Sequence, residues 1–205
     1  GVQGSLETAR ADGARVQVVL SARDAVALAA ANPDDEVVFV AVGFETTAPA
    51  TADAILTAQK MGLANFSVLA AHKLVMPALE ALLSSARVQV DGFLCPGHVS
   101  VVLGSQVYRP IVEKFGIGCV VAGFEPAGIL EATAELLEMI AEGLPRLGNA
   151  YRVVVRAEGN PRALALMGRV FEPGPAVWRG LGSIPGSGLD LRPAFGRFEI
   201  GRAHV

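Results

Sequence analysis

Residues 38–49 read VFVAVGFETTAP and residues 119–128 read CVVAGFEPAG. Each is a run of small and β-branched apolar residues that breaks into Gly-Phe-Glu. A run apolar at every position, rather than at alternate ones, is how a strand buried on both faces of a parallel sheet reads. Residues 15–20, 66–70 and 90–94 carry the same signature. Helical patterns lie between these runs. Residues 24–31 are alanine-rich and end near Asn32-Pro33, and residues 50–61 stop at Gly62. Residues 74–83 place Val75, Leu79, Leu82 and Leu83 on one face. Residues 129–141 place Ile129, Thr133, Leu136, Leu137 and Ile140 on one face, and Glu131, Glu135, Glu138 and Glu142 fall on another that reads as solvated.

Five short strands alternating with helices predict an α/β fold over residues 14–148. Its expected form is a doubly wound, mostly parallel, Rossmann-like sheet with helices on both faces. After Gly148 the pattern changes. Residues 151–155 read as a strand and residues 161–170 as a helix capped by Asn160. Residues 171–195 are rich in Gly and Pro and too long for a plain linker, so they are expected to pack against the body of the protein through Trp178. Residues 1–13 and 149–205 are expected to belong to a neighbouring, incomplete α/β domain.

The composition bounds the function classes. The chain has 205 residues, 52% hydrophobic and 18% charged, enough to bury a sizeable core. A formal net charge of -3 and the lack of any Lys/Arg cluster argue against nucleic acid and anionic membranes as partners. No apolar run reaches the roughly 18 residues of a membrane span. Two cysteines exclude a disulfide framework, and a cytoplasmic location is expected. Phosphate-binding P-loop, G-x-G-x-x-G, nucleophile-elbow, H-E-x-x-H and Cys-x-x-Cys patterns are missing.

The polar residues gather at predicted strand ends, the edge where open parallel sheets bind ligands. They are Glu45, Thr46 and Thr47 after the second strand, His72 and Lys73 after the third, Cys95, His98 and Ser100 after the fourth, and Glu125 after the fifth. Each also has a plain structural reading. Thr46 and Thr47 suit a helix cap, Glu45 a helix dipole, His72 a structural hydrogen bond, His98 a helix start, Cys95 and Cys119 core packing, and Lys73 a snorkelling surface position. Cys95 and His98 also have a C-x-x-H spacing compatible with metal. Read from residues alone, a Glu/Thr/His site at strand ends suits an acid/base or nucleotide-hydrolysing enzyme, or a platform presenting a ligand or metal.

The stretches GFETTAP (residues 43–49), AAHKLVMPALEALL (70–83), DGFLCPGHVS (91–100), VVAGFEP (120–126), EGNPRA (158–163) and WRGLGSIPGSGL (178–189) resemble the hydrogenase maturation factor HypD. The resemblance implies a scaffold that helps build an iron centre carrying two cyanides and one carbon monoxide for nickel–iron hydrogenase. It implies work with a small HypC-type chaperone and a HypE-type cyanide donor, and a two-domain cleft. It further implies a four-iron, four-sulfur cluster in the full-length family. Carried over motif by motif, Glu45, Thr46, Thr47 and His98 line that cleft as the acting groups. Gly43, His72, Pro96, Gly97 and Glu125 are the candidates for holding a bound ligand, and no metal ligand is assigned. The family's Cys-Gly-Gly-His and Gly-Pro-Gly-Cys-Pro-Val-Cys motifs do not occur in this chain, nor do its cluster cysteines, so a central piece of a HypD-like protein is expected.

Overall fold

The computed structural model describes residues 4–85 and 88–202. Its helices are α1 (Leu6–Ala11), α2 (Ala22–Ala31), α3 (Ala48–Met61), α4 (Val75–Leu83), α5 (Gly97–Leu103), α6 (Arg109–Phe115), α7 (Pro126–Glu142) and α8 (Pro161–Val170). Its strands are β1 (Val37–Gly43), β2 (Phe66–His72), β3 (Gly92–Pro96), β4 (Gly118–Ala122), β5 (Leu147–Asn149), β6 (Phe171–Trp178), β7 (Gly182–Leu191) and β8 (Glu199–Arg202). The α/β class, with parallel strands flanked by helices, is as the sequence predicts. The strands divide between two parallel sheets, β1-β2-β8 and β3-β4-β5, and β6-β7 form an antiparallel hairpin.

Each sheet has its own apolar core. Phe66, Val68, Ile55, Val170 and Phe198 pack with α2, α3 and α8 around the first sheet. Tyr108, Ile111, Cys95, Cys119 and Val121 lie beside the second, and Val120, Leu136 and Met139 pack on its other side under α7. Local chemistry sets the element ends. Ser21 and Asp24 form a reciprocal capping box at the start of α2. Asn160 Oδ1 accepts from Ala163 N–H at 3.1 Å and starts α8, as expected. The buried Asn65 side chain donates to the carbonyls of Ala29, Asn32 and Asp35, pinning the end of α2 to the start of β2.

Several sequence expectations change. Residues 15–20 pair with no strand, and Val18 and Leu20 are exposed; β-propensity without a neighbour makes no ladder. Residues 151–154 are turns, because Tyr151 N–H donates to Asn149 Oδ1 and Asn149 Nδ2 to Val155 O, which closes the chain on itself. The buried stripe of α7 is Ala132, Leu136 and Met139, so Ile129, Leu137 and Ile140 face outward. The Gly/Pro-rich segment is the hairpin, and it does pack at the carboxyl end of β2. There Leu74 N–H donates to Ser187 O at 2.8 Å, and Trp178 Nε1 donates to Ser187 Oγ at 2.8 Å. Among the described residues no helix is long and apolar enough to cross a membrane. His204 lies outside the described residues.

Candidate functional site

The two Gly-Phe-Glu copies leave the carboxyl ends of β1 and β4, one in each sheet. In the first, Gly43 has φ 137° and a Cβ there would lie 2.3 Å from Thr47 Oγ1, so only glycine lets the turn close this tightly. Thr47 precedes α3, but its hydroxyl donates back to Val42 O at 3.3 Å and Phe44 O at 3.2 Å instead of accepting from the helix N–H groups. The capping expected of Thr47 is therefore absent, because its helical φ and ψ turn the hydroxyl toward the strand end. Thr46 is exposed, and its hydroxyl makes no hydrogen bond among the described residues.

Glu45 turns inward and is 2% exposed. Its Oε1 accepts from Val75 N–H at 3.0 Å, so the carboxyl serves the first turn of α4 and not that of α3. Its Oε2 has no hydrogen-bond partner among the described residues. Burial raises the Glu45 pKa above its ordinary value, and the backbone N–H groups of Glu45 and Val75 pull it partly back. Burial raises the Tyr108 pKa above its ordinary value, the hydrogen bond with Ser100 pulls it partly back, and Cys95 and then Glu45 add smaller rises. Tyr108 shares a 3.1 Å hydrogen bond with Ser100 Oγ, which donates to Pro96 O at 2.8 Å. Tyr108 and Ser100 thus support the Pro96–Gly97–His98 turn of the second sheet. Glu45→Gln keeps an acceptor for Val75 and removes the charge, so its urea midpoint at pH 7 should equal or exceed the parent's. Glu45→Ala leaves that N–H unpaired and should lose about 1–3 kcal/mol.

His72 ends β2 and is 2% exposed. Its Nε2 meets Thr51 Oγ1 at 3.4 Å, its ring lies edge-on to Phe171, and its Nδ1 has no partner. Burial lowers its pKa to about 4, so it is neutral near pH 7. Lys73 Nζ donates to Val177 O at 2.5 Å and sits 5.2 Å from the Trp178 ring centroid. Trp178 also meets Phe44, the phenylalanine of the first Gly-Phe-Glu, with ring centroids 6.0 Å apart.

At the second edge, Gly97 is buried, and a Cβ would lie 2.4 Å from Ala122 O and 2.9 Å from the Tyr151 ring. Pro96 is exposed before it. His98 is exposed and stacks on Phe124, the phenylalanine of the second Gly-Phe-Glu, with centroids 4.0 Å apart. Glu125 is exposed at the N-cap of α7 and makes no side-chain capping bond. The candidates thus separate into an exposed group (Thr46, Pro96, His98, Glu125) and a buried one (Gly97, Glu45, His72). Among the described residues no hydrogen bond or ring contact joins His98 to Glu45, Thr46 or Thr47. Phe44, Phe124, Tyr108 and Ser100 complete the surroundings. Sequence reading treats the two phenylalanines as ordinary apolar residues, although their place inside the repeated tripeptide was the available signal.

Cys95 is buried with its thiol toward Phe93 O, whereas His98 is exposed, so the C-x-x-H pair does not converge. The neighbouring Cys119 and burial both push the Cys95 thiol pKa up. Among the described residues no three His, Cys, Asp or Glu side chains gather in a metal-binding group. A four-iron, four-sulfur cluster takes four thiolates. The chain has two cysteines, both buried, and they do not fit such a cluster.

Comparison with known proteins gives one consistent family. The model of the HypD family, described as the hydrogenase formation hypA family, matches residues 1–204. The hydrogenase maturation factor HypD of Azotobacter vinelandii is 45% identical over 204 residues, covering 97% of this chain and 54% of that protein. HypD of Rhodobacter capsulatus is 45% identical over 196 residues, covering 95% and 52%. HypD of Escherichia coli K12 is 41% identical over 200 residues, covering 97% and 54%. The chain spans about half the length of the curated relatives it matches.

Proposed function

The chain belongs to the HypD family, and from that premise we propose that it contributes a scaffold for maturation of nickel–iron hydrogenase, where the iron–dicyanide–carbonyl centre is assembled. The observation that carries this reading is 45% identity across 97% of the chain to a named maturation factor. In this reading the iron and its diatomic ligands are cargo. They reach the protein through a HypE-type cyanide donor and are passed on with a HypC-type chaperone in the cytoplasm. Soft thiolates suited to iron come from the half of the family polypeptide that this chain does not span. We read the two parallel sheets as two lobes, with residues 161–202 returning to the lobe of β1 and β2.

The residues of this chain then act around the cargo. His98 is free to donate from its imidazole to an anionic ligand, and Phe124 fixes the ring plane. Thr46 offers an uncommitted hydroxyl at the other strand end. Glu45, His72, Gly43 and Gly97 hold the turns that present these groups. Pro96 and Glu125 flank His98, and Thr47 ties its own loop to β1.

In a full-length family member carrying these motifs, the His98→Ala counterpart should lower hydrogenase maturation about 10–100-fold. Its thermal unfolding should stay at the parent value, because the ring is exposed. Phe124→Ala should show a smaller loss of the same kind, since it leaves the imidazole in place but unsupported. Parent-level maturation in the His98→Ala protein would remove the role given to His98.

A further inference from the structure

Among the described residues the sheet β1-β2-β8 is open along β1, whose outer edge pairs with no strand. A groove of about 800 Å³ runs along that edge. One wall is β1 from Val37 to Val40, and the other is the segment 14–19, which makes no ladder of its own. Ala25 and Leu28 of α2 line it from above, and Arg10, Arg15 and Asp35 lie at its rim. The path from residues 14–19 through α2 to β1 has the form of a strand–helix–strand crossover. Here the helix lies over a vacant slot between the two flanking segments. Right-handed crossovers in parallel sheets commonly skip one position, which another strand fills.

Two observations, the unpaired backbone and an apolar stripe on β1, identify what fills it. The outer edge of β1 and residues 17–19 carry backbone groups with no partner among the described residues, which a neighbouring strand satisfies about 4.8 Å away. The lining mixes apolar side chains, among them Val16, Val19, Leu28, Val37 and Phe39, with Arg10, Gln17, Asn32, Glu36 and the paired Arg15 and Asp35. On one face of β1, Val38, Val40 and Val42 are 39%, 40% and 58% exposed, an apolar stripe of the kind a crossover helix covers. The curated relatives also have nearly as much polypeptide again outside the matched region.

We propose that the groove is the seat of a parallel β-strand from the part of the family polypeptide that this chain does not span, and that the helix next to that strand packs on Val38, Val40 and Val42. The inference rests on family membership and sheet geometry, not on the maturation reading. It has a functional consequence. A strand parallel to β1 delivers its carboxyl-end loop beside Phe44–Thr47, so the part of the family polypeptide outside the matched region contributes side chains directly to the edge where Thr46 stands.

The test co-expresses this chain with the unmatched portion of the Azotobacter vinelandii relative and measures co-purification and amide exchange. The expected result is a one-to-one complex in which the β1 amides facing the groove exchange at least about 10-fold more slowly than in the chain alone, with β2 little changed. Val40→Lys should abolish co-purification while leaving the melting temperature of the chain alone unchanged, since Val40 is exposed there. The intact relative gives a second readout that needs no assembly of parts: its counterpart of β1 should exchange as slowly as its counterpart of β2. Three results overturn the proposal: fast exchange at β1 in the intact relative, a complex that leaves β1 unprotected, or a homodimer of this chain that protects β1 by itself.

Discussion

Gly104→Ala is expected to be the most damaging small substitution in the protein, costing on the order of 4 kcal/mol and leaving little folded material. Gly104 ends α5 with φ 87°, where an L side chain is strained. A Cβ there would lie 2.2 Å from Ala157 O, 2.5 Å from Gly159 N and 2.7 Å from Glu158 C. All three are backbone atoms, so no side chain can rotate out of the way. The contact is reciprocal, since a Cβ on Gly159, at φ 71°, would lie 2.3 Å from Val102 O. Hydrogen bonds lock the same two segments: Asn160 N–H donates to Val102 O at 2.9 Å, and the N–H groups of Ser105 and Gln106 donate to Arg156 O and Ala157 O. Val102 packs in the core of the first sheet and Val101 in that of the second, so the junction ties the two cores together. Urea unfolding should show a large drop in midpoint for Gly104→Ala and for Gly159→Ala. Gly168→Ala, with open space around its Cβ, should cost nothing by the same measure. A Gly104→Ala protein within about 1 kcal/mol of the parent would show that the two segments are not held this closely.

That junction explains part of what the sequence made legible. Continuous apolar runs identify β1, β2 and β4, although only β4 is buried at every position and one face of β1 is exposed in this chain. Strand order leaves no local mark. Between the two cores, α5 and residues 156–160 interlock through two glycines and a set of carbonyls, features that carry no periodic signal in the sequence. Residues 15–20 show the converse. Their composition suits a strand, yet a strand exists only where a neighbour supplies the other half of the ladder. At the candidate site, residue type and strand-end position were readable and orientation was not. Glu45 and Glu125 occupy the same place in the same tripeptide. One is buried on the N–H of Val75 and the other is exposed at the start of α7. The difference comes from what lies opposite each loop: α4 faces the first, and solvent the second. The aromatic partners of His98 and Trp178 were hidden for a related reason, because a phenylalanine at a strand end reads as core until its exposure is known.

Acidification should destabilise the protein mainly through His72, and replacing that residue should nearly remove the effect. The folded pKa of His72 is about 4 against an ordinary 6.5. Between those values the unfolded chain binds a proton that the folded protein refuses, so stability falls as pH drops through that window. The difference of 2.5 pH units corresponds to about 3 kcal/mol, fully lost by about pH 4. Glu45 works in the opposite direction. Its folded pKa lies above the ordinary 4.5, so above pH 4.5 the unfolded carboxyl gives up its proton more readily and stability falls as pH rises toward the folded value. The two effects overlap from pH 4.5 upward toward the folded pKa of Glu45, and there the parent's pH profile reports only their difference. Single substitutions separate them. His72→Gln retains a polar group for Thr51 Oγ1 and cannot take up a proton, so its urea midpoint should stay level or rise as pH falls from 6.5 to 4.5, as Glu45 becomes protonated. Glu45→Gln should show the reverse, with the full histidine loss uncovered and a steeper decline than in the parent. An NMR titration provides the independent check, because the His72 ring should remain neutral down to about pH 4. A His72→Gln protein that declines on acidification as steeply as the parent would place the acid sensitivity elsewhere. It would also leave Nδ1 of His72 with a partner that this packing does not supply.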